Sequence, residues 1–405
     1  MLPQDMRLRE YVMDMIKKSY SSYGFMHIET PVMEHIENLT SNQGGDNEKL
    51  IFKVLKRGES LNKALEKGDF QNIADNGLRY DLTLPLARYY AANGEKLPSP
   101  FKALQIGNVW RADNPQKGRF RQFVQCDIDV LGDDSNLCEI ELIGATASML
   151  CKIFEPVNVS GLTVHINDRR ILKGACLSAG FGEDDIASVL VSLDKFDKIG
   201  FEGVKNELVA NGCSEESAKK YLDAYQNQNS LEAFCSTIGD EYLPQSVTQG
   251  ITQIIEGVKA TVDGNVNIVF DPTLVRGMGY YTGTIFEVTL DGYGFSVAGG
   301  GRYDEMIGKF SGQNTPACGF SIGFERIITI LKDMGFEPKD NRQKIAILVH
   351  KSADNAKKTE VFTKAKQLRD GGNIVSVFPM KKNINAQFLK LEQQGYNEFI
   401  KIYND

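Results

Sequence analysis

The sequence has few of the features that cross-link a chain, bind a structural metal or span a membrane. Its seven cysteines are odd in number and include no CxxC pair, which argues against a disulfide framework and against a zinc site. Its four histidines, at positions 27, 35, 165 and 350, are too scattered to form a ligand cluster. No apolar run reaches the length of about 18 residues that a membrane helix needs, and no signal peptide is recognisable. We therefore expect no membrane association and a cytoplasmic location.

Length, composition and charge describe an ordinary globular chain with an uneven charge distribution. With 405 residues, two or three domains are expected, and 42% hydrophobic and 24% charged residues exclude a disordered or fibrous class. The net charge of −7 argues against a protein that coats nucleic acid. Residues 341–405, however, contain 12 Lys and Arg against 6 Asp and Glu, which fits either RNA bound at that end or solvated lysines on a helix face.

Residues 105–130 carry the most informative pattern. Apolar residues flank the run PQKGR, whose proline and glycine interrupt regular structure, so a β-hairpin with a long basic tip is predicted. Side chains alternate between the two faces of a strand. One face of the second strand is predicted to lie in the core and carries Val124, Cys126, Ile128 and Val130. The other face carries Arg121, Phe123, Gln125, Asp127 and Asp129.

This second face combines a cation, a ring, an amide and two carboxylates, which are costly to bury unless they bind something polar. Together with Arg111, Lys117 and Arg119, it is predicted to hold a polyanion with a flat ring, such as a nucleotide. The alternative is a solvated, salt-bridged sheet face, and for any single residue that is the better interpretation. Five complementary groups on one face favour the binding site.

Residues 105–130 resemble motif 2 of the class II aminoacyl-tRNA synthetases, and the PQKGRFRQF loop resembles that of the histidyl-tRNA synthetases. The resemblance covers nearly the whole chain. It implies an α+β fold in which a class II antiparallel-sheet catalytic domain is followed by a smaller domain. The implied parts are the catalytic domain in residues 1–154 and 263–334, a mostly helical insertion in 155–262, and a small C-terminal α/β anticodon-binding domain in 341–405. That last domain is short relative to the family, although its strand–helix alternation by itself predicts a parallel α/β unit.

The N-terminal region combines a helix and a strand. Apolar residues at helical spacing over 5–23, followed by Gly24, predict an amphipathic helix with glycine just beyond its end. The next segment, FMHIETPVME, is predicted to be an edge or interface strand because Pro31 cannot pair within a ladder. In the resemblance this segment is motif 1, which implies a homodimer. Family members usually have a short Gly-Thr-Arg-Asp-like segment before the Leu-Pro that stands here at positions 2 and 3.

The segment LRYDLTLPLARYYAA, residues 78–92, offers a carboxylate and a hydroxyl. Asp81 and Thr83 are predicted to project from one face of a strand, with Pro85 starting a helix. Such a pair would receive an ammonium group, and the alternative is that the two residues cap the helix. The resemblance implies that Asp81 and Thr83 bind the α-amino group of histidine.

The run RGMGYYTG is predicted to be the bend between the strands VNIVF and TIFEV. Its spacing fits neither a P-loop nor a dinucleotide fingerprint. Arg276 and Tyr281 offer a cation and a phenol, and the run resembles the histidine-specific box of the family. Gly279 replaces the usual Asp of that box, so the sequence leaves open which group orders Arg276 or its loop.

Two further stretches complete the pattern. VAGGGRYD, residues 297–304, supplies Tyr303 and glycines that allow close backbone approach. Residues 316–331 pass from a Gly-rich strand into a helix with Arg326 in its early turns, where helix N–H groups favour anions. This stretch resembles motif 3, and the alternative is that Arg326 pairs with Glu325 or caps loop carbonyls.

The resemblance implies a histidine–tRNA ligase whose partners are L-histidine, ATP with Mg²⁺, and tRNA(His), with Mg²⁺ ligands unknown. Arg111 and Arg276 are the implied catalytic residues. The implied ATP-binding residues are Arg111, Arg119, Phe123 and Arg326. The implied histidine-binding residues are Asp81, Thr83, Gln125, Asp129, Arg276, Tyr280, Tyr281 and Tyr303.

Two other functions share this pattern. A non-catalytic, histidine-sensing regulatory subunit of ATP phosphoribosyltransferase has the same fold, but such paralogues typically lose the arginines of motifs 2 and 3, which are present here. An RNA-binding protein that kept the scaffold without catalysis is the second alternative, and histidine-dependent activity would distinguish it.

Overall fold

The structure, a computed structural model, describes residues 1–41, 45–114, 120–226, 230–262, 264, 266–277 and 279–403. The chain divides into two compact units, Met1–Phe336 and Glu337–Asp405. The strands of the described residues are β1 (Met26–Ile28), β2 (Met33–His35), β3 (Lys53–Leu55), β4 (Ala74–Leu78), β5 (Phe101–Trp110), β6 (Gln122–Leu131), β7 (Leu162–Asp168), β8 (Val266–Phe270), β9 (Thr284–Leu290), β10 (Ser296–Arg302), β11 (Ala317–Ile322), β12 (Lys344–Val349), β13 (Ile374–Pro379) and β14 (Glu398–Ile402).

Helices separate and cover these strands. They are α1 (Pro3–Ser22), α2 (Ile36–Ser41), α3 (Glu59–Glu66), α4 (Thr83–Asn93), α5 (Leu137–Phe154), α6 (Arg169–Ala179), α7 (Ile186–Leu193), α8 (Phe196–Ala210), α9 (Glu215–Gln226), α10 (Leu231–Ile238), α11 (Gln245–Thr261), α12 (Gly308–Ser311), α13 (Phe324–Asp333), α14 (Asn355–Asp370) and α15 (Ile384–Glu392). None of the helices in the described ranges is long and apolar enough to cross a bilayer.

The first unit is built on an eight-stranded sheet in the order β1-β5-β6-β11-β10-β9-β7-β8. Its strand pairs are antiparallel except for the two outermost ones, β1 with β5 and β7 with β8, which are parallel. The predicted α+β class with an antiparallel catalytic sheet is therefore confirmed.

The predicted hairpin is formed by β5 and β6, which pair in register from Phe101 opposite Leu131 to Trp110 opposite Gln122. The apolar face of β6 is buried in the main core against α1 and α5, as its period-two pattern predicts. The buried Tyr20 of α1 also forms a 3.0 Å hydrogen bond with Thr146 of α5. Burial of such large side chains contributes roughly 1.5–3 kcal/mol each. The basic tip predicted at PQKGR, residues 115–119, lies outside the described residues.

The segment around Pro31 differs from the prediction of one strand. It forms two strands, β1 and β2, which belong to different sheets, because β2 pairs with β4 in a separate three-stranded sheet of order β2-β4-β3. Pro31 lies between them, where its missing N–H leaves no ladder bond unmade. The helix before this segment ends as predicted, with Gly24 at φ 81° just beyond the C-cap of α1.

The prediction that Asp81 and Thr83 share a strand face is wrong. The strand β4 ends at Leu78 and α4 already begins at Thr83 rather than Pro85. Asp81 Oδ1 accepts a hydrogen bond from the backbone N–H of Leu84 at 3.2 Å. The carboxylate therefore satisfies a free N–H at the helix start, which is the capping alternative.

The region 155–262 contains a sheet strand as well as helices. Leu162–Asp168 forms β7, which pairs with β9 and β8 inside the eight-stranded sheet, and helices α6 to α11 follow only from Arg169 onward. The sequence did not predict this strand, because the alternation of apolar and polar residues in LTVHIND extends over only seven residues and long helical stretches follow it.

The second unit contains a three-stranded parallel sheet of order β13-β12-β14, with α14 and α15 as connecting helices. Its apolar residues form one cluster around Ile345, Ile347 and Val361 and another around Ala346, Leu348 and Leu391. The small C-terminal α/β unit predicted from the strand–helix alternation is thus confirmed.

Candidate active site

One cavity of about 490 Å³ opens on the polar face of β6 in the first unit. Its walls are formed by β6, β10, β11, the bend between β8 and β9, and the start of α13. Residues from five separate segments of the predicted site line this cavity: Asp81, Thr83, Arg111, Phe123, Gln125, Asp129, Arg276, Tyr280, Tyr281, Tyr303 and Arg326. Of the other residues predicted to bind the nucleotide, Lys117 and Arg119 lie outside the described part of the chain. Arg121 is exposed, does not line the cavity, and its Nε donates to the Asp113 carbonyl at 3.3 Å.

A hydrogen-bonded row on β6 and β11 fixes the amide of Gln125. Its Nε2 donates to Ser321 Oγ at 3.0 Å and to Asp127 Oδ2 at 3.3 Å, and Ser321 Oγ donates to Asp127 Oδ1 at 2.5 Å. The reversed amide would bring its oxygen against the Asp127 carboxylate, so the network sets the orientation. As a result Gln125 Oε1 is buried and, among the described residues, accepts no hydrogen bond.

Asp129 lies deeper on the same face of β6. Its Oδ1 accepts a 2.6 Å hydrogen bond from the hydroxyl of Tyr303, whereas its Oδ2 is buried without a partner in the described residues. Burial raises the pKa of Asp129 from its ordinary 3.8 to about 7, opposed by the Tyr303 bond and reinforced by the Asp81 charge. Burial, and then Asp129 itself, also raises the pKa of Asp127 well above its usual value. Donors or a cation would therefore stabilise the ionised forms of these carboxyl groups.

Glycines bring the backbone of β10 and β11 close beneath this row. Gly319 is the ladder partner of Asp129, and a Cβ there would lie 2.0 Å from Asp129 Oδ1. A Cβ at Gly300 would lie 2.0 Å from the carbonyl oxygen of Gly319. The cavity floor is therefore made of backbone.

Aromatic side chains close one wall of the cavity. The rings of Tyr280 and Tyr281 have centroids 4.9 Å apart, and that of Tyr280 lies 6.0 Å from that of Tyr303 in an edge-on arrangement. Burial raises the pKa of all three phenols, so they remain neutral hydroxyls at neutral pH.

Arg276 lies over the glycine floor of the cavity, where a carboxylate holds it. Its Nη1 donates to the Glu287 carboxylate, and the guanidinium lies over Gly299, where a Cβ would be 2.5 Å from it. Its Nε is buried and lacks a partner in the described residues. Sequence reasoning missed Glu287, whose only signal was its position in the strand TIFEV.

Arg111 and Phe123 face each other across the hairpin. The guanidinium of Arg111 lies 5.1 Å from the Phe123 ring centroid and 4.2 Å from that of Tyr80, and its Nε donates to the Tyr80 carbonyl at 3.2 Å. The aromatic contacts orient the cation and leave a partly exposed ring beside it, a combination suited to a phosphate next to a base.

Arg326 does not pair with its neighbour Glu325. Its Nη1 donates to the Ser296 carbonyl at 2.6 Å and to Ser296 Oγ at 3.0 Å. Glu325 instead binds Arg9 of α1 through both carboxylate oxygens, at 2.5 and 2.8 Å, and accepts from the N–H of Val124 at 3.2 Å. The Arg9–Glu325 pair, with the bond from Val124, therefore connects α1, the start of α13 and the cavity strand β6.

Comparison with known proteins identifies the family. The sequence matches the family model described as histidyl-tRNA synthetase over residues 1–327, which is more than half of the chain. The chain belongs to the histidyl-tRNA synthetase family. The resemblance drawn from the motifs is confirmed, and with it the class of aminoacyl-tRNA ligases.

Individual members of the histidyl-tRNA synthetase family are similar along most of their length. The histidine–tRNA ligase of Leifsonia xyli subsp. xyli is 45% identical over 342 residues, which cover 82% of this chain and 78% of the relative. That of Christiangramia forsetii is 35% identical over 403 residues, covering 95% of this chain and 86% of the relative.

Solved structures give the same result. The crystal structure of histidyl-tRNA synthetase from Nostoc sp. PCC 7120 superposes with a TM-score of 0.77 at 31% identity, covering 98% of this chain and 88% of that one. A Bacillus halodurans protein described as an ATP phosphoribosyltransferase regulatory subunit/histidyl-tRNA synthetase has a TM-score of 0.78 at 20% identity, with coverage of 100% and 96%. The latter shares the fold.

No group of three or more His, Cys, Asp or Glu side chains that would hold a metal ion occurs within the described ranges of this histidyl-tRNA synthetase family member. The cavity carboxylates Asp127 and Asp129 are instead engaged with hydroxyl groups, and Glu325 and Glu287 with arginines.

Proposed function

We propose that this chain activates L-histidine with ATP to form histidyl-adenylate and then transfers the histidyl group to tRNA(His). The observation that carries the proposal is that one cavity contains both buried acceptor atoms that lack hydrogen-bond partners in the described residues and half-buried arginines. Gln125 Oε1 and Asp129 Oδ2 call for donors, whereas Arg276 Nε calls for an acceptor. An amino acid with an imidazole, joined to a nucleotide phosphate, supplies both.

The amino-acid end of the substrate belongs beside the carboxyl groups. Asp81, Thr83 and Gln125 bind the α-ammonium group, whose positive charge offsets the cluster formed by Asp81, Asp127 and Asp129. Asp129, Tyr303, Tyr280 and Tyr281 contact the imidazole. An amino acid with an apolar side chain would leave these buried polar groups unpaired, which rejects it strongly.

The nucleotide end belongs beside the arginines. Arg111, Arg119 and Arg326 bind the triphosphate, and Phe123 stacks on the adenine. Mg²⁺ accompanies ATP on its phosphate oxygens and neutralises part of their charge.

The first step needs positioning and charge stabilisation rather than a general base. The histidine carboxylate, ionised at neutral pH, attacks the α-phosphorus of ATP, and the bond to the β-phosphate oxygen breaks to release pyrophosphate. Arg276 and Arg111 donate to the α-phosphate oxygens as negative charge shifts between the entering and leaving oxygens. In the second step a hydroxyl of the 3′-terminal ribose of tRNA attacks the carbonyl carbon of the adenylate, and AMP leaves.

We also propose that two copies of the chain form a homodimer through the segment around Pro31 and that the protein works in the cytoplasm, which holds tRNA and ATP. The residues 341–405 act as the anticodon-binding domain and 169–261 as the helical insertion. Exposed apolar side chains at Met26, Val32 and Met33 support the dimer proposal.

Histidine-dependent ATP–pyrophosphate exchange tests the proposal. Purified protein is incubated with radiolabelled pyrophosphate, ATP and each of the standard amino acids in turn. We expect exchange with histidine alone, followed by charging of tRNA(His) transcripts. Histidine binding without exchange would overturn the synthetase proposal and favour the regulatory subunit, and RNA binding without either would favour the scaffold that lost catalysis.

A further inference from the structure

Arg276, which the proposed function places on the reacting phosphate, lies on a segment without regular structure in its described part. A long side chain on such a segment loses much conformational freedom when it is held in one place. Something must therefore fix its guanidinium, and Gly279, which stands where the family has Asp, cannot do so.

The fixing group is a carboxylate on a sheet strand. Glu287 lies on β9, an interior strand between β10 and β7, opposite Gly299 on one side and His165 on the other. Its carboxylate accepts from Nη1 of Arg276, and the side chains of both residues are largely buried, at 22% and 24% exposure. A strand that is paired on both sides holds a side chain in place more rigidly than the irregular segment that carries Arg276.

Gly299, the ladder partner of Glu287 on β10, leaves space for the guanidinium. Because position 299 is glycine, the guanidinium of Arg276 lies where a side chain would otherwise start, and a Cβ there would be 2.5 Å from its Cζ and both Nη atoms. At Gly279, by contrast, a Cβ would meet no atom within 4 Å. The carboxylate at 287 and the glycine at 299 thus define one position for the cation.

The pair with Glu287 leaves Nε of Arg276 without a hydrogen-bond partner among the described residues. Glu287 occupies Nη1, whereas Nε, which is buried without a partner in the described residues, belongs with Nη2 to the side-on fork. That fork binds two oxygens of a carboxylate or phosphate at once. Glu287 therefore holds the guanidinium through Nη1 and leaves the Nε–Nη2 fork for the substrate.

We propose that Glu287 is the positioning residue for Arg276: it holds the guanidinium over Gly299 with its Nε edge turned to the reacting carboxylate and α-phosphate. This inference rests on the proposed function for the identity of the substrate. It assigns the ordering of Arg276, which the sequence left open, to a strand residue 11 positions further along the chain.

A double-mutant cycle in the pyrophosphate-exchange reaction tests this role. We expect Glu287→Ala to lower kcat about 100-fold and Glu287→Gln, which keeps an acceptor, about 10-fold, while the KM for ATP changes less than about 3-fold. In an Arg276→Ala background, Glu287→Ala should lower kcat by less than about a further 3-fold, because its effect passes through the arginine.

Gly299→Ala is a second test of the same position. The added methyl group should displace the guanidinium and so reproduce the loss of kcat seen in Glu287→Ala.

Asp194→Asn is the matched control. Asp194 is an exposed carboxylate that interacts electrostatically with both Glu287 and Arg276. Removing its charge tests whether the loss of any negative charge near Arg276 is enough to lower kcat. We expect kcat to change less than about 2-fold. An additive cycle, or equal losses in Glu287→Ala and Asp194→Asn, would overturn the proposal.

A spectroscopic measurement separates this proposal from the proposed function. In ¹⁵N-arginine-labelled protein, the Nε–H signal of Arg276, assigned by its absence in Arg276→Lys, should exchange slowly with solvent in the wild type and rapidly in Glu287→Ala. This readout needs no activity. If the wild type fails to activate histidine, the proposed function falls while the positioning is still tested, and an unchanged signal in Glu287→Ala overturns the positioning.

Discussion

At the scale of single residues, Asp129 couples the chemistry of the cavity to stability. The folded state holds its carboxyl group where burial raises the pKa to about 7, whereas the unfolded chain gives it an ordinary value near 4. Between these values the folded state binds a proton that the unfolded state has released. Asp129 therefore makes the protein progressively less stable as pH rises from about 4 to about 7.

The substitution Asp129→Asn removes this titration and keeps an acceptor for Tyr303. We expect the free energy of unfolding of the variant, relative to wild type, to increase by about 2 kcal/mol between pH 5.5 and pH 8. Urea unfolding followed by circular dichroism at the two pH values measures the difference. A difference between variant and wild type that is the same at both pH values would contradict the raised pKa.

Gly319 tests the backbone floor at the same place. In Gly319→Ala the new methyl group would be 2.0 Å from Asp129 Oδ1 and 3.2 Å from the Tyr303 ring, so both groups must move. We expect the KM for histidine in pyrophosphate exchange to rise at least about 10-fold, with a smaller change in the KM for ATP. Gly94→Ala, where the added methyl group would lie 3.5 Å from the Tyr90 ring, an ordinary contact distance, is the control for adding a methyl group away from the cavity. Equal rises in both KM values would argue against a local effect on histidine.

At the scale of elements, the sequence predicts what local periodicity determines. The two faces of β6, the helices α1 and α5 and the strand–helix alternation of the second unit all follow from spacing along the chain. The sequence could not predict partners that meet only after folding. Glu325 binds Arg9 across 316 positions, Glu287 binds Arg276 from a neighbouring element, and the placement of Asp81 at a helix start depends on where α4 begins.

The Arg9–Glu325 pair is a largely buried ion pair between α1 and α13. Because both side chains are largely buried, at 8% and 13% exposure, Arg9→Leu leaves a poorly solvated carboxylate and should lower the free energy of unfolding by about 3 kcal/mol. It should also raise the KM for ATP, since Glu325 adjoins Arg326 and accepts from Val124.

The control for this prediction is a pair on the same two helices. Lys332 of α13 binds Asp5 of α1 with the lysine 48% exposed, so Lys332→Ala should cost less than about 1 kcal/mol. Urea titrations of the two variants supply the comparison. Similar losses in both would indicate that burial does not determine the contribution of these ion pairs.

For the whole molecule, the division into two units separates the cavity from the basic C-terminal unit. Every residue that lines the cavity lies between Leu50 and Arg326, within Met1–Phe336. The second unit has its own sheet and its own apolar clusters. Adenylate formation and recognition of the tRNA body should therefore depend on different parts of the chain.

A chain ending at residue 336 tests this separation. We expect histidine-dependent pyrophosphate exchange to stay within about 3-fold of the full chain, because the first unit has a complete core. The kcat/KM for charging tRNA(His) should fall at least about 100-fold, corresponding to roughly 2.7 kcal/mol of lost tRNA contacts. Loss of exchange in a truncated chain that remains folded by circular dichroism would show that the second unit supports the chemistry itself.

The glycine floor also limits how the amino-acid preference of this enzyme can be altered. Where a pocket is bounded by side chains, a larger substrate is admitted by trimming one of them, but Gly299, Gly300 and Gly319 have nothing to trim. Room for a bulkier amino acid can instead come from the aromatic wall, at Tyr280, Tyr281 or Tyr303. Since the Tyr303 hydroxyl also donates to Asp129, any enlargement there changes polarity together with size. Libraries for a new amino acid should therefore vary the tyrosines and Asp129 jointly and leave the glycines fixed.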